Sequence, residues 1–190
     1  MKTILYLLIA FSFHTMEAQT QDFFRQIPEA PTEYTAASVV TRMVDGLGYR
    51  YYWATEQLAA ADLEYQTSSD GRTIRETLDH VYSLSEMIRS TATGEVFNRK
   101  TGAADLDWQA LRAKTLENFK RSHFQFIEAS DLASLQIDFG SGSTLPLWNA
   151  INGPIEDAVW HTGQVVMMRR AAGNPMPAGV NVLMGKTKEQ

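Results

Sequence analysis

Pro154-Ile155-Glu156-Asp157-Ala158-Val159-Trp160-His161-Thr162-Gly163-Gln164 carries the reading of this chain. It has the composition of a helix start. Asn152 suits the N-cap, and Pro154 suits the first turn, where its missing N–H would have no partner anyway. Glu156 and Asp157 favour the positive end of the helix dipole. Asp157 and His161 stand four apart, so on a helix one lies above the other with Cβ atoms about 5–6 Å apart. A carboxylate and an imidazole at that spacing can share one metal ion or one proton. A second imidazole from another helix would complete a three-ligand site with room for water. His80 is the candidate.

Downstream, the helix is expected to end near Arg169-Arg170, whose cations suit its negative end, with Gly173-Asn174-Pro175 as the stop. Residues 176–190 then form a tail docked in part through Val180, Val182 and Leu183. Upstream, Leu135 to Phe139 alternates like a short strand and Gly140 to Thr144 reads as a flexible tip. That predicts a hairpin-like excursion before the last helix. A third helix, capped by Asp105 or Asp107, runs to about Ala129 with Trp108, Leu111, Leu116, Phe119, His123 and Phe126 as inward candidates. Its charges, Arg112 among them, read as a solvated face. As a site residue His123 is set aside, at the surface or rim.

Thr73-Ile74-Arg75-Glu76 is a capping box, in which the threonine side chain and the glutamate carboxylate each take up a free N–H. The helix it opens runs to about Thr93, with Ile74, Leu78, Val81, Leu84 and Ile88 as its buried stripe. At about 100° per residue, His80 falls at the edge of that stripe, turned inward. A first helix spans Tyr34 to about Ala61, marked by Val39, Val40, Met43, Leu47, Tyr51, Ala54 and Leu58. The aromatic group Tyr49, Tyr51, Tyr52 and Trp53 reads as core packing. Four long helices with no strand-rich half predict an all-α, up-and-down four-helix bundle.

With 190 residues the chain is expected to form one domain with a real core. A net charge of −5 with no Lys/Arg cluster argues against a nucleic-acid partner. The absence of cysteine excludes disulfides, thiolate metal sites and a thiol nucleophile. Residues 1–18 read as a secretory signal: Lys2 supplies the charge, Ile4 to Phe13 the apolar run and Ala18 the cleavage point. That run is too short for a membrane span. Residues 19–33 are then a lead-in, 34–185 the helical domain and 186–190 a tail. The leader implies export, to the periplasm or beyond.

On the last helix Ile155, Val159, Thr162 and Val166 make one line, and Asp157, His161, Gln164 and Met168 another on roughly the opposite side. Either the polar line faces solvent and Asp157–His161 is a surface pair worth a few tenths of a kcal/mol, or it faces the bundle interior. Trp160, Met167 and Met168 flank that line, and apolar neighbours favour the second reading.

The capped helix Thr73-Ile74-Arg75-Glu76-Thr77-Leu78-Asp79-His80, followed by His161-Thr162-Gly163-Gln164 and Arg169-Arg170-Ala171-Ala172-Gly173-Asn174-Pro175, resembles the DinB/YfiT-like superfamily over about residues 34 to 185. The resemblance implies a bundle holding a divalent metal through His80, Asp157 and His161. The commoner first ligand of the late pair is histidine; a carboxylate there resembles the mycothiol-dependent maleylpyruvate isomerases of the same superfamily. Two imidazoles and a carboxylate suit Zn²⁺, Ni²⁺, Fe²⁺ or Mn²⁺ alike. The implied activity is that of a metal-dependent enzyme on a small-molecule substrate, hydrolase- or transferase-like, and the resemblance is compatible with a homodimer. No residue stands out as a general base, though Glu156 and Gln164 are near. The competing class is an exported, non-catalytic bundle that binds a ligand or partner, with a structural metal or none.

Overall fold

The computed structural model describes residues 22–98, 103 and 105–188; the expected signal segment, residues 1–18, lies outside them. Among the described residues four long helices pack on one another: α1 (Ala36–Thr55), α2 (Ile74–Thr93), α3 (Trp108–Ile127) and α4 (Glu156–Ala171). None is long and apolar enough to cross a membrane. Helices α1 and α2 each pack against both α3 and α4, so the first two face each other across the core rather than side by side. This arrangement brings the face of α2 that carries His80 against the face of α4 that carries Asp157 and His161.

Local chemistry explains the ends. Thr73 and Glu76 form the expected capping box on α2, and Gly94, with φ of 70°, closes that helix in the left-handed conformation open to glycine. Asp107, not Asp105, caps α3 by accepting from the Ala110 N–H at 2.7 Å. Helix α1 starts from a Thr35–Ser38 capping box and stops at Thr55, earlier than the periodicity predicts. Glu56 is already extended, Gln57 has φ of 59°, and Ala60–Glu64 is a separate 3-10 turn.

The α2 stripe is buried as expected, and Leu47 and Tyr51 of α1 meet Leu111, Leu116 and Phe119 of α3 in the same core. Val39, by contrast, is half exposed. The expected hairpin is present as antiparallel β1 (Gln136–Asp138) and β2 (Thr144–Pro146), with Ile137 opposite Leu145. A second, unexpected hairpin joins β3 (Val180–Asn181) and β4 (Lys186–Thr187). It corrects the docking of the tail in part: Val180 packs against the core as expected, but Leu183 is 93% exposed and Val182 is also exposed, while the Tyr49 and Thr187 hydroxyls, 2.9 Å apart, and the Ile27 N–H donated to Gly185 O at 2.8 Å hold the hairpin on α1 and the lead-in.

Two cations depart from their expected places. Arg112 is buried, not solvated; its guanidinium donates to Thr55 Oγ1 at 2.9 Å and to Glu56 Oε2 at 2.6 Å. Arg169 is fully buried and serves the end of α1 rather than its own helix, donating to the carbonyls of Ala54 and Glu56, each at 2.9 Å, and of Trp53 at 3.3 Å. A helix leaves its last carbonyls without intrahelical donors, and one guanidinium from α4 takes up several of them.

Candidate metal centre

Helix α4 does not start as its sequence suggests. No side chain caps it, and Asn152 is exposed. The short helical turn Leu147–Ala150 runs into a π-type turn, Ile151–Ile155, bent at Gly153 (φ −90°, ψ −107°) and lacking the Pro154 N–H. Glu156 and Asp157 do occupy the first turn of the regular helix, but the preceding turn runs straight into it, and the Glu156 N–H donates back to the carbonyls of Gly153 and Ile151.

The wheel of α4 also differs from the two-line expectation. Ala158, Thr162, Val165 and Arg169 form the fully packed stripe, and the line through Asp157, His161 and Gln164 borders it, half-buried. Trp160, at 72% exposure, and the exposed Met167 point to solvent. Their apolar character therefore does not place the polar line in the interior; the packing of α2 against α4 does.

His80, half-buried on α2, reaches across to this line. Its Nε2 lies 3.1 Å from Asp157 Oδ2, and His161 Nε2 lies 3.3 Å from Asp157 Oδ1. The two imidazole rings meet edge to face with centroids 4.5 Å apart. One ligand atom from each of the three residues falls within 4.8 Å of the others. The three sequence-predicted residues thus converge.

Gln164 sets the orientation. Its Oε1 lies 2.8 Å from His161 Nδ1, so that nitrogen donates its proton to the amide oxygen, and in the neutral ring Nε2 turns its lone pair towards Asp157. A lone pair facing a carboxylate at that distance is repulsive unless a cation or a proton lies between them. This donor set fits a divalent cation: in their neutral Nδ1–H tautomers both imidazoles present an Nε2 lone pair beside the carboxylate oxygens of Asp157. Burial pushes the His80 pKa below its usual value, and the nearby His161 and Arg72 push the same way against the Asp157 hydrogen bond. A histidine held neutral is one that can bind metal.

No protein-family model and no curated protein matches this chain. The site rests on its own geometry. Side-chain exposures of 31% for His80, 40% for Asp157 and 15% for His161 leave the group open to solvent on the Asp157 side, so water or a small substrate can reach it.

The remaining candidates fall elsewhere. Glu156 is exposed on the solvent side of α4. His123 is not a surface residue: its side chain is 14% exposed and its Nδ1 lies 2.6 Å from Oδ1 of the buried Asp45. Phe23 and Phe124 pack against its ring. It forms a separate α1–α3 contact. The role of Gln164 was readable only as an i, i+3 neighbour of His161; the signal was there, but nothing in the sequence set it above other pairs at that spacing.

Proposed function

We propose that His80, Asp157 and His161 hold one divalent cation, and that the chain is an exported metal-dependent enzyme of the DinB/YfiT-like kind, acting on a small molecule by hydrolase- or transferase-like chemistry. The observation that carries this reading is the meeting of two imidazole nitrogens and one carboxylate, from two helices, around Asp157 at 3.1 and 3.3 Å. Bound there, the ion supplies an electrophile able to polarise a substrate oxygen or to lower the pKa of bound water or thiol. The chain's own residues do the rest. Gln164 fixes the His161 ring, and burial favours the neutral form of His80. Zn²⁺, Ni²⁺, Fe²⁺ and Mn²⁺ all suit these donors. A purely structural metal would favour ligands sealed from water, and the 40% exposure of Asp157 weighs against it.

Metal analysis of protein purified without a histidine tag tests the proposal. Wild type is expected to carry about one divalent ion per chain, and His161→Ala to lose it. Equal, negligible metal in both proteins overturns the reading. Asp157→His should tighten binding, and weaker or unchanged affinity removes that position from the ligand set.

A further inference from the structure

A second concave site lies on the outer face of α1, built independently of the His/Asp/His group. Three separate segments wall a cavity of about 360 Å³: the lead-in at Ile27–Ala30, the α1 stripe Arg42, Gly46 and Arg50, and the hairpin tip from Leu183 to Lys186. That volume is within the usual range of small-molecule sites. The segments are fastened to one another. Ile27 N–H donates to Gly185 O at 2.8 Å, and Arg42 Nη1 donates to Pro28 O at 2.7 Å. Gly185, with φ of 63°, could not carry a Cβ without striking Ile27 at 2.8 Å.

Its charge is unlike that of the chain. The lining holds three cations, Arg42, Arg50 and Lys186, against one carboxylate, Glu29, which is 95% exposed and 3.8 Å from Lys186 Nζ. Arg50 is the pre-positioned member. Its Nη1 folds back to donate to Gly46 O at 2.8 Å, and a Cβ at Gly46 would come within 3.0 Å of that same nitrogen. A glycine inside a helix costs about 1 kcal/mol relative to alanine; here the vacated space seats a guanidinium on the cavity floor. Each arginine has five N–H donors. One each goes to the backbone bonds above, leaving others to face a ligand. The rest of the lining is apolar, including Ile27, Pro28, Leu183 and Met184, the last two exposed at the hairpin tip.

We propose that this cavity binds a small oxyanion carrying an apolar chain, such as a monoalkyl phosphate, with the oxyanion on Arg50 and Lys186 and the chain against Leu183 and Met184. The headgroup of an anionic lipid offers the same chemistry as the free amphiphile.

Calorimetric titration of the full chain with octyl phosphate, inorganic phosphate and octanol, beside flotation with phosphatidylglycerol vesicles, tests this. Octyl phosphate is expected to bind more tightly than either fragment, to weaken as salt is raised, and to lose about tenfold in affinity in Arg50→Gln and again in Lys186→Gln. Gly46→Ala, which keeps every charge and crowds the guanidinium, should also weaken it. Flotation that depends on Arg50 assigns the site to a lipid headgroup; binding of soluble octyl phosphate without flotation assigns it to a free amphiphile. Octyl phosphate that binds no better than octanol, or binds equally well to folded wild type and to a folded Arg50→Gln/Lys186→Gln variant, overturns the proposal.

Discussion

Replacing Arg169 by methionine isolates what one buried guanidinium contributes to the bundle. The side chain is fully buried, donating through Nε to Asn174 O at 2.8 Å and through Nη1 to the carbonyls of Trp53, Ala54 and Glu56. Methionine fills much of the same space without a donor. Trp53 and Ala54 are buried, so their carbonyls lose this partner where water cannot replace it, at about 1–3 kcal/mol for each group left unsatisfied. Glu56 and Asn174 are half-buried and recover part of the loss from water. Relief of the guanidinium's own desolvation, which pulls its pKa down, offsets some of the total. The net expectation is a loss of about 3–4 kcal/mol, or roughly 10 °C in Tm for a chain of this size. Arg169→Lys keeps the charge but not the planar fork, and should lose about half as much. Arg170→Met is the control: that neighbour is exposed, and the change should fall within about 0.5 kcal/mol of wild type. Urea unfolding followed by far-UV circular dichroism reads all three. If Arg169→Met unfolds within about 1 kcal/mol of wild type, or no differently from Arg170→Met, the cross-helix capping argument is wrong.

Three further perturbations test other parts of the packing. Tyr51 has a buried hydroxyl with no hydrogen-bond partner of good geometry, and burial pushes its pKa up to about 12. Tyr51→Phe should therefore be neutral or stabilising by up to about 1 kcal/mol in a urea titration. Because the folded pKa is raised, the tyrosine's linkage contribution is intact below pH 10 and fades towards about 12; the difference between the two proteins should widen over that window. Gly48→Ala would set a Cβ 2.5 Å from the buried Phe24 ring, so it should lower stability by about 1–3 kcal/mol in a thermal melt, although alanine is ordinarily the better helix former. His80 is shifted the other way, below its usual 6.5, so its contribution is intact above pH 6.5 and is lost as pH falls through the folded pKa. Metal-free wild type should destabilise below 6.5 more steeply than metal-free His80→Gln, as read by urea midpoints across pH; parallel curves would contradict the assignment.

What the sequence determined by itself was largely local. The Thr73–Glu76 capping box, the α2 stripe, the β1–β2 hairpin and the Asp157–His161 spacing depend on residues within one or two turns of each other, and periodicity and turn chemistry write such relations directly into the chain. Which faces meet was not written there. The sequence treated Arg112 as solvated and Arg169 as a cation for its own helix, because nothing local shows that the last carbonyls of α1 will arrive beside them. It turned the Asp157–His161 line inward on the apolar character of Trp160 and Met167, which face solvent after all. Only the packing of α2 against α4 carried His80, 77 residues away from Asp157, to within 3.1 Å of that carboxylate. The same tertiary convergence brought Lys186 of the tail hairpin and Pro28 of the lead-in to the local Gly46–Arg50 pair of α1, closing one cavity. Hydrogen bonds within a turn are fixed by neighbours in the chain, whereas burial and charge pairing depend on which surfaces exclude water together, and that is a property of the folded whole.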